Sequence, residues 1–221
     1  MSDLHLVIFD VDGTLIDSQA EIMAAMDLAF QSEGLTMPAR ATVLSIVGLS
    51  LPDAFRHLCP DSDVHQQSRL VDAYKDAFVS LRADNREMGP LYPGAREAID
   101  RLSARDNTLL AVATGKSRRG LDKVLERHGL QGVFHSEQVA DHHPSKPNPS
   151  MILTALNDTG VMAHRAVMVG DTTDDMDMAR AAGVKTIGVP WGYHPVAHLR
   201  PDALIDTFAA LDAAVNSLIG D

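Results

Sequence analysis

Four short apolar runs punctuate the chain, and each stops at a polar residue or a turn former. Leu6-Val7-Ile8-Phe9 stops at Asp10 and Leu109-Leu110-Ala111-Val112-Ala113 at Thr114. Ala166-Val167-Met168-Val169 stops at Gly170-Asp171, and Thr186-Ile187-Gly188-Val189 at Pro190. Such runs are too short for helices and do not alternate, so they predict parallel strands covered on both faces. Helical spacing fills the gaps. Pro93-Gly94 opens a helix carrying Ala95, Ala98, Ile99 and Leu102 on one face. Ser117 opens another with Leu121, Val124 and Leu125, stopped by Gly129. A third runs from Pro149 through Met151, Ile152, Ala155 and Leu156 to Gly160, and a fourth from Asp174 to Ala182, stopped by Gly183. Strand and helix in alternation predict an α/β doubly wound parallel (Rossmann-like) sheet.

The stretch 16–87 breaks this rhythm, because it holds no apolar run of strand type. Ser18-Gln19-Ala20-Glu21 has the spacing of a capping box, followed by Ile22, Met26, Ala29 and Phe30 and then Gly34. Further helical patterns centre on Leu51–Leu58 and Leu70–Leu81. An all-helical cap domain over 16–87 is therefore expected within a core made of 1–15 and 88–221. The return junction, Met88 to Gly94, is rich in Gly and Pro.

Composition narrows the function. Hydrophobic residues make up 45% and charged residues 22% of 221, enough apolar material for a real core. The net charge of −11 speaks against a nucleic-acid or anionic-membrane partner, both of which ask for a basic face. Cys59 is the single cysteine, so no intrachain disulfide forms; with no signal-peptide pattern, a cytoplasmic protein is expected. The oligomeric state is left open.

In an open parallel sheet, ligands bind beyond the carboxyl ends of the strands. That rule picks out Asp10, Asp12, Thr114 and Asp171. Carboxylates brought that close repel one another unless a cation sits among them, and Mg²⁺ suits carboxylate-plus-phosphate ligation. Gly13 lets the chain turn after the two aspartates, and Thr114-Gly115-Lys116 offers a hydroxyl and a backbone N–H ahead of a helix. Ser145-Lys146-Pro147-Asn148-Pro149 holds a lysine on a stiff loop, and Gly170-Asp171-Thr172-Thr173-Asp174-Asp175 brings further acids to a helix start.

These four segments, in this order, resemble the motifs of the haloacid dehalogenase superfamily in its phosphatase branch. The helical insert resembles the cap of the branch that includes phosphoglycolate phosphatases, and the likeness spans nearly the whole chain. The resemblance implies Asp10 as a nucleophile forming an aspartyl-phosphate and Asp12 as general acid and base. It implies that Thr114, Gly115 and Lys146 bind the phosphoryl group. Mg²⁺ would be held by Asp10, the backbone carbonyl of Asp12, Asp171 and Asp175. Asp174 is the rival to Asp175, which motif spacing favours.

The expected activity is Mg²⁺-dependent hydrolysis of a small phosphorylated metabolite. Asp12 sets the chain apart from the carbon–halogen branch, which lacks a second aspartate. A phosphosugar mutase is the alternative, although that branch carries a His near the place of Ile22; a non-catalytic binding module is a weaker one. Asp17 and Ser18 are expected to cap a helix, while Lys116, Asp177 and the pair His142-His143 are expected in solvent. Arg82 and Arg86 are read as a solvated helix face that could also reach an acidic substrate.

Overall fold

The computed structural model of the protein describes residues 4–83 and 89–220. Arg86, the Arg82 side chain and the expected boundary at 87/88 lie outside what it describes. The strands are β1 (His5–Phe9), β2 (Thr108–Thr114), β3 (Ser136–Val139), β4 (Ala166–Gly170), β5 (Lys185–Gly188) and β6 (Ala203–Leu204). They form one parallel sheet in the order β3-β2-β1-β4-β5-β6. Side chains alternate between the two faces, and both faces are covered. Val7, Phe9, Leu110, Val112, Val167 and Val169 pack one way, and Leu6, Ile8, Ala111, Ala113 and Met168 the other. Because each face is dry, the central strands read as unbroken apolar runs. Burying one such side chain is worth about 1.5–3 kcal/mol.

The first face carries α5 (Ala95–Ser103), α6 (Arg118–Arg127) and α10 (Leu211–Ile219); the second carries α7 (Ser150–Thr159) and α8 (Thr173–Ala181). Ser117 caps α6 by accepting the Gly120 N–H. The short α9 (Val196–Leu199) leads towards β6. β3, β6 and α10 were not expected from the pattern. β3 reads Ser-Glu-Gln-Val at one sheet edge, and β6 is two residues at the other, so neither shows an apolar run.

The insert comprises α1 (Gln19–Ser32), α2 (Arg40–Leu44), α3 (Leu51–Leu58) and α4 (Val64–Ala83). It has a core of its own, built from residues such as Met26, Phe30, Phe55, Leu70 and Tyr74. Its two connections run side by side. Asp17 donates its N–H to the Pro90 carbonyl, and Tyr92 donates to the Leu15 carbonyl, each at 2.9 Å.

Candidate active site

The chain leaves β1 for β2 on one side and later returns to β4 on the other side of β1. The gap between the carboxyl ends of β1 and β4 is thus the switch point where open α/β sheets bind ligands. Asp10 follows β1 there and Asp171 follows β4. After Asp10 the chain turns back on itself: Leu15 and Ile16 both donate N–H groups to the Val11 carbonyl. Gly13 makes this turn at φ 82°, and a Cβ at that position would lie 2.3 Å from Asp171 Oδ2. Only glycine fits both the conformation and the contact.

Three carboxylates meet at this point, those of Asp10, Asp171 and Asp175, with one oxygen from each lying within 4.8 Å of the others. All three are buried. Lys146, its side chain wholly buried, donates to Asp10 Oδ1 at 2.6 Å and to Asp175 Oδ1 at 2.7 Å. Asp175 Oδ2 accepts from the N–H and hydroxyl of Thr172, whose hydroxyl in turn accepts the Asp175 N–H. The cap that starts α8 therefore also aims Asp175. Asp171 is held by the Thr14 hydroxyl and by the Tyr193 N–H, each at 2.8 Å. Among the described residues, it is Asp175 rather than Asp174 whose carboxylate joins the cluster.

One lysine does not balance three carboxylates. Burial pushes Asp10 up to about 7, with Lys146 opposing and the charge of Asp175 adding to the rise. Burial, then the charges of Asp10 and Asp175, push Asp171 well above the carboxylate range. Burial alone would lower Lys146, but its two carboxylate partners hold it above the ordinary lysine range. Asp10 Oδ2 is buried with no hydrogen-bond partner among the described residues. An orphaned oxygen, two surplus negative charges and an all-oxygen donor set fit a hard divalent cation.

Asp12 stands apart from the cluster. Its Oδ1 accepts from the Ser18 hydroxyl and pairs with Lys116 Nζ at 2.8 Å. This corrects two expectations. Ser18 sits at the N-terminus of α1 but makes no side-chain cap, because its hydroxyl is turned to Asp12. Lys116 is not a solvated lysine; its side chain is 11% exposed. Tyr193 completes the group, its hydroxyl 3.0 Å from Ser18 Oγ and accepting the Ser18 N–H. Thr114 is buried at the end of β2, its hydroxyl accepting the Lys116 N–H at 3.3 Å. Gly115 packs under the insert, where a Cβ would come within 2.4 Å of the Gly48 carbonyl oxygen. His142 is exposed, whereas His143 is half-buried with both ring nitrogens engaged, by Ser150 and Gln138. Asp177 is exposed and pairs with Arg180.

An acidic cluster at the switch point of a doubly wound sheet, faced by a helical insert, defines a capped α/β enzyme of the Rossmann-like class. The chain matches the haloacid dehalogenase-like hydrolase family over residues 7–189 and belongs to it. It is 35% identical to a probable phosphatase IndB of Dickeya dadantii, covering 97% of this chain and 94% of the relative. It is 32% identical to a phosphoglycolate phosphatase of Agrobacterium fabrum, covering 95% and 91%. The fold matches a predicted phosphatase from Clostridium acetobutylicum with a TM-score of 0.85 at 22% identity, over 97% of this chain and all of that one. The chain thus sits among the phosphatases of its family. Among the described residues no helix is long and apolar enough to cross a membrane.

Proposed function

We propose that the protein is a phosphoglycolate phosphatase-like hydrolase of small phosphomonoesters, with Mg²⁺ as cofactor and Asp10 as nucleophile. The observation that carries this reading is the buried cluster of Asp10, Lys146, Asp171 and Asp175 at the switch point. Similarity to proteins named phosphoglycolate phosphatase supports it. Asp10, Asp171, Asp175 and the Asp12 backbone carbonyl would hold Mg²⁺. When bound, the ion would offset charge on the cluster and on the phosphoryl oxygens.

Lys146 fixes the attacking carboxylate of Asp10 through Oδ1. Attack on phosphorus breaks the bond to the ester oxygen and leaves an aspartyl-phosphate. Asp12 hands its proton to the departing alcohol and then takes one from the water that cleaves the aspartyl-phosphate. Inorganic phosphate leaves and both aspartates are restored. Ser18 and Lys116 hold Asp12 Oδ1, so proton transfer falls to its other oxygen. Thr114, the Gly115 N–H and Lys146 receive the phosphoryl oxygens, a task of positioning and charge stabilisation. Ile22 stands near where the mutase branch carries a histidine and offers no titratable group.

The test is phosphate release from 2-phosphoglycolate, sugar phosphates and pyrophosphate, with and without Mg²⁺. Mg²⁺-dependent release that disappears in Asp10→Asn is expected. Unchanged release from a folded Asp10→Asn protein would remove the mechanism.

A further inference from the structure

A chamber of about 320 Å³ opens between the insert and the core. Asp12 and Lys116 line it on the core side, while Asp10, Asp171 and Asp175 do not. Gly115 lines it too, so the chamber meets the proposed phosphoryl site at Asp12 and Gly115 and extends from there under the insert. The alcohol half of an ester whose leaving oxygen faces Asp12 would enter it. Its insert-side wall is apolar, drawn from Ile22 and Met26 of α1, Val47 and Leu51 around the start of α3, and Tyr74 and Phe78 of α4. Asp12 and Lys116 are already paired with each other. The remaining charged groups, Lys75 and Arg119, are exposed, and Lys75 lies 3.6 Å from Asp72.

A volume of this size falls within the ~300–1,000 Å³ typical of sites for small organic molecules. The glycolate half of phosphoglycolate is two carbons and a carboxylate, which leaves most of the space and most of the apolar wall unused. Apolar ligands gain most from such walls, and one methylene more or less in a fitted hydrophobic pocket changes discrimination by ~10–200-fold.

We propose that the preferred substrate is a phosphomonoester of an apolar alcohol, a branched-chain or ring-bearing body seated against Met26, Tyr74 and Phe78. This rests on the phosphatase reading and on Asp12 as the proton donor to the leaving oxygen. Specificity then comes from the insert, while the core supplies chemistry that any phosphomonoester could use.

The experiment is kcat/KM, with Mg²⁺ present, along the series methyl, propyl, isopentyl and benzyl phosphate, with 2-phosphoglycolate beside them. A rise of at least about 10-fold from methyl to benzyl phosphate, with benzyl above 2-phosphoglycolate, is expected. Phe78→Gln should cut the benzyl-to-methyl ratio by about 10-fold. Calorimetry with benzylphosphonate and methylphosphonate, which cannot turn over, should show the same order of affinity. A flat series, or 2-phosphoglycolate above every apolar ester, overturns the proposal and leaves the phosphatase reading standing. Absence of Mg²⁺-dependent release from every ester overturns both.

Discussion

Asp10→Asn does more than remove a nucleophile; it should invert the order of stability between variant and wild type according to pH and metal. In the metal-free protein the Asp10 carboxyl moves from an ordinary 3.8 to about 7, chiefly through burial. A folded value above the unfolded one means that the folded state binds the proton more tightly. The stability linked to Asp10 is therefore fully present below about pH 4 and is lost as pH rises through about 7. At ~1.4 kcal/mol per unit, that rise from 3.8 to about 7 amounts to about 4 kcal/mol by pH 8. Asparagine carries no such charge. Its amide oxygen can accept from Lys146 as Oδ1 does, while its NH₂ takes the place of an oxygen that has no partner. An unpaired buried donor costs about 1–3 kcal/mol, but that offset does not vary with pH. Urea unfolding in chelator from pH 4.5 to 8.5, followed by the fluorescence of Trp191, the single tryptophan, isolates the slope. The stability of Asp10→Asn relative to wild type should climb by about 3 kcal/mol across this range, since the part of the shift below pH 4.5 falls outside it. Mg²⁺ at 100 times its Kd should then return ~2.7 kcal/mol to wild type and much less to the variant. A relative stability that stays level, or falls, with rising pH would refute the reasoning.

Lys146→Met leaves Asp10 and Asp175 facing each other without a cation, so unfolding in chelator at pH 8 should cost about 3–5 kcal/mol less than in wild type. The gap should narrow at pH 5, where Asp10 takes up a proton, and phosphate release should fall on the order of 100-fold. Gly13→Ala forces a Cβ against Asp171 and a left-handed φ onto alanine. A loss of about 1–3 kcal/mol in denaturant, with weaker Mg²⁺ binding by calorimetry, is expected. Lys116→Met releases Asp12 from its ion pair but touches none of the clustered carboxylates. It should lower kcat on the order of 10-fold, a part of the ~10²–10⁴ that acid–base help supplies, while the Mg²⁺ concentration for half-maximal rate stays put.

Burial on both faces is what made the centre of the sheet legible. β1, β2 and β4 have neighbours on either side and helices above and below, so their apolar residues form runs no helix would produce. The edges lack that constraint. In β3 only Ser136 and Val139 are buried, and a Ser-Glu-Gln-Val segment carries no strand pattern that composition could betray. α10 is a different omission, since Leu211, Val215 and Ile219 are buried at four-residue spacing and could have been read as a helix face.

The clustered residues were legible for a related reason: each lies within a few positions of an element end that the pattern already marked. Asp10 and Asp171 stop strands, and Asp175 belongs to the first turn of α8. Ser18 and Lys116 escaped because each has an adequate local role: a serine before a helix reads as a cap and a lysine after a turn as solvated. Tyr193 carries no pattern that ties it to Asp12. Tertiary placement overrides those roles. Tyr193 reaches Ser18 across 175 positions, and Ser18 then spends its hydroxyl on Asp12 instead of on the helix. A residue that gives up a local hydrogen bond for a distant carboxylate is held by the whole fold. That Ser18 leaves α1 without its cap, so that only the Asp17 carboxylate accepts the Gln19 N–H, is the mark it leaves, visible only once the loop after β5 lies beside the loop after β1.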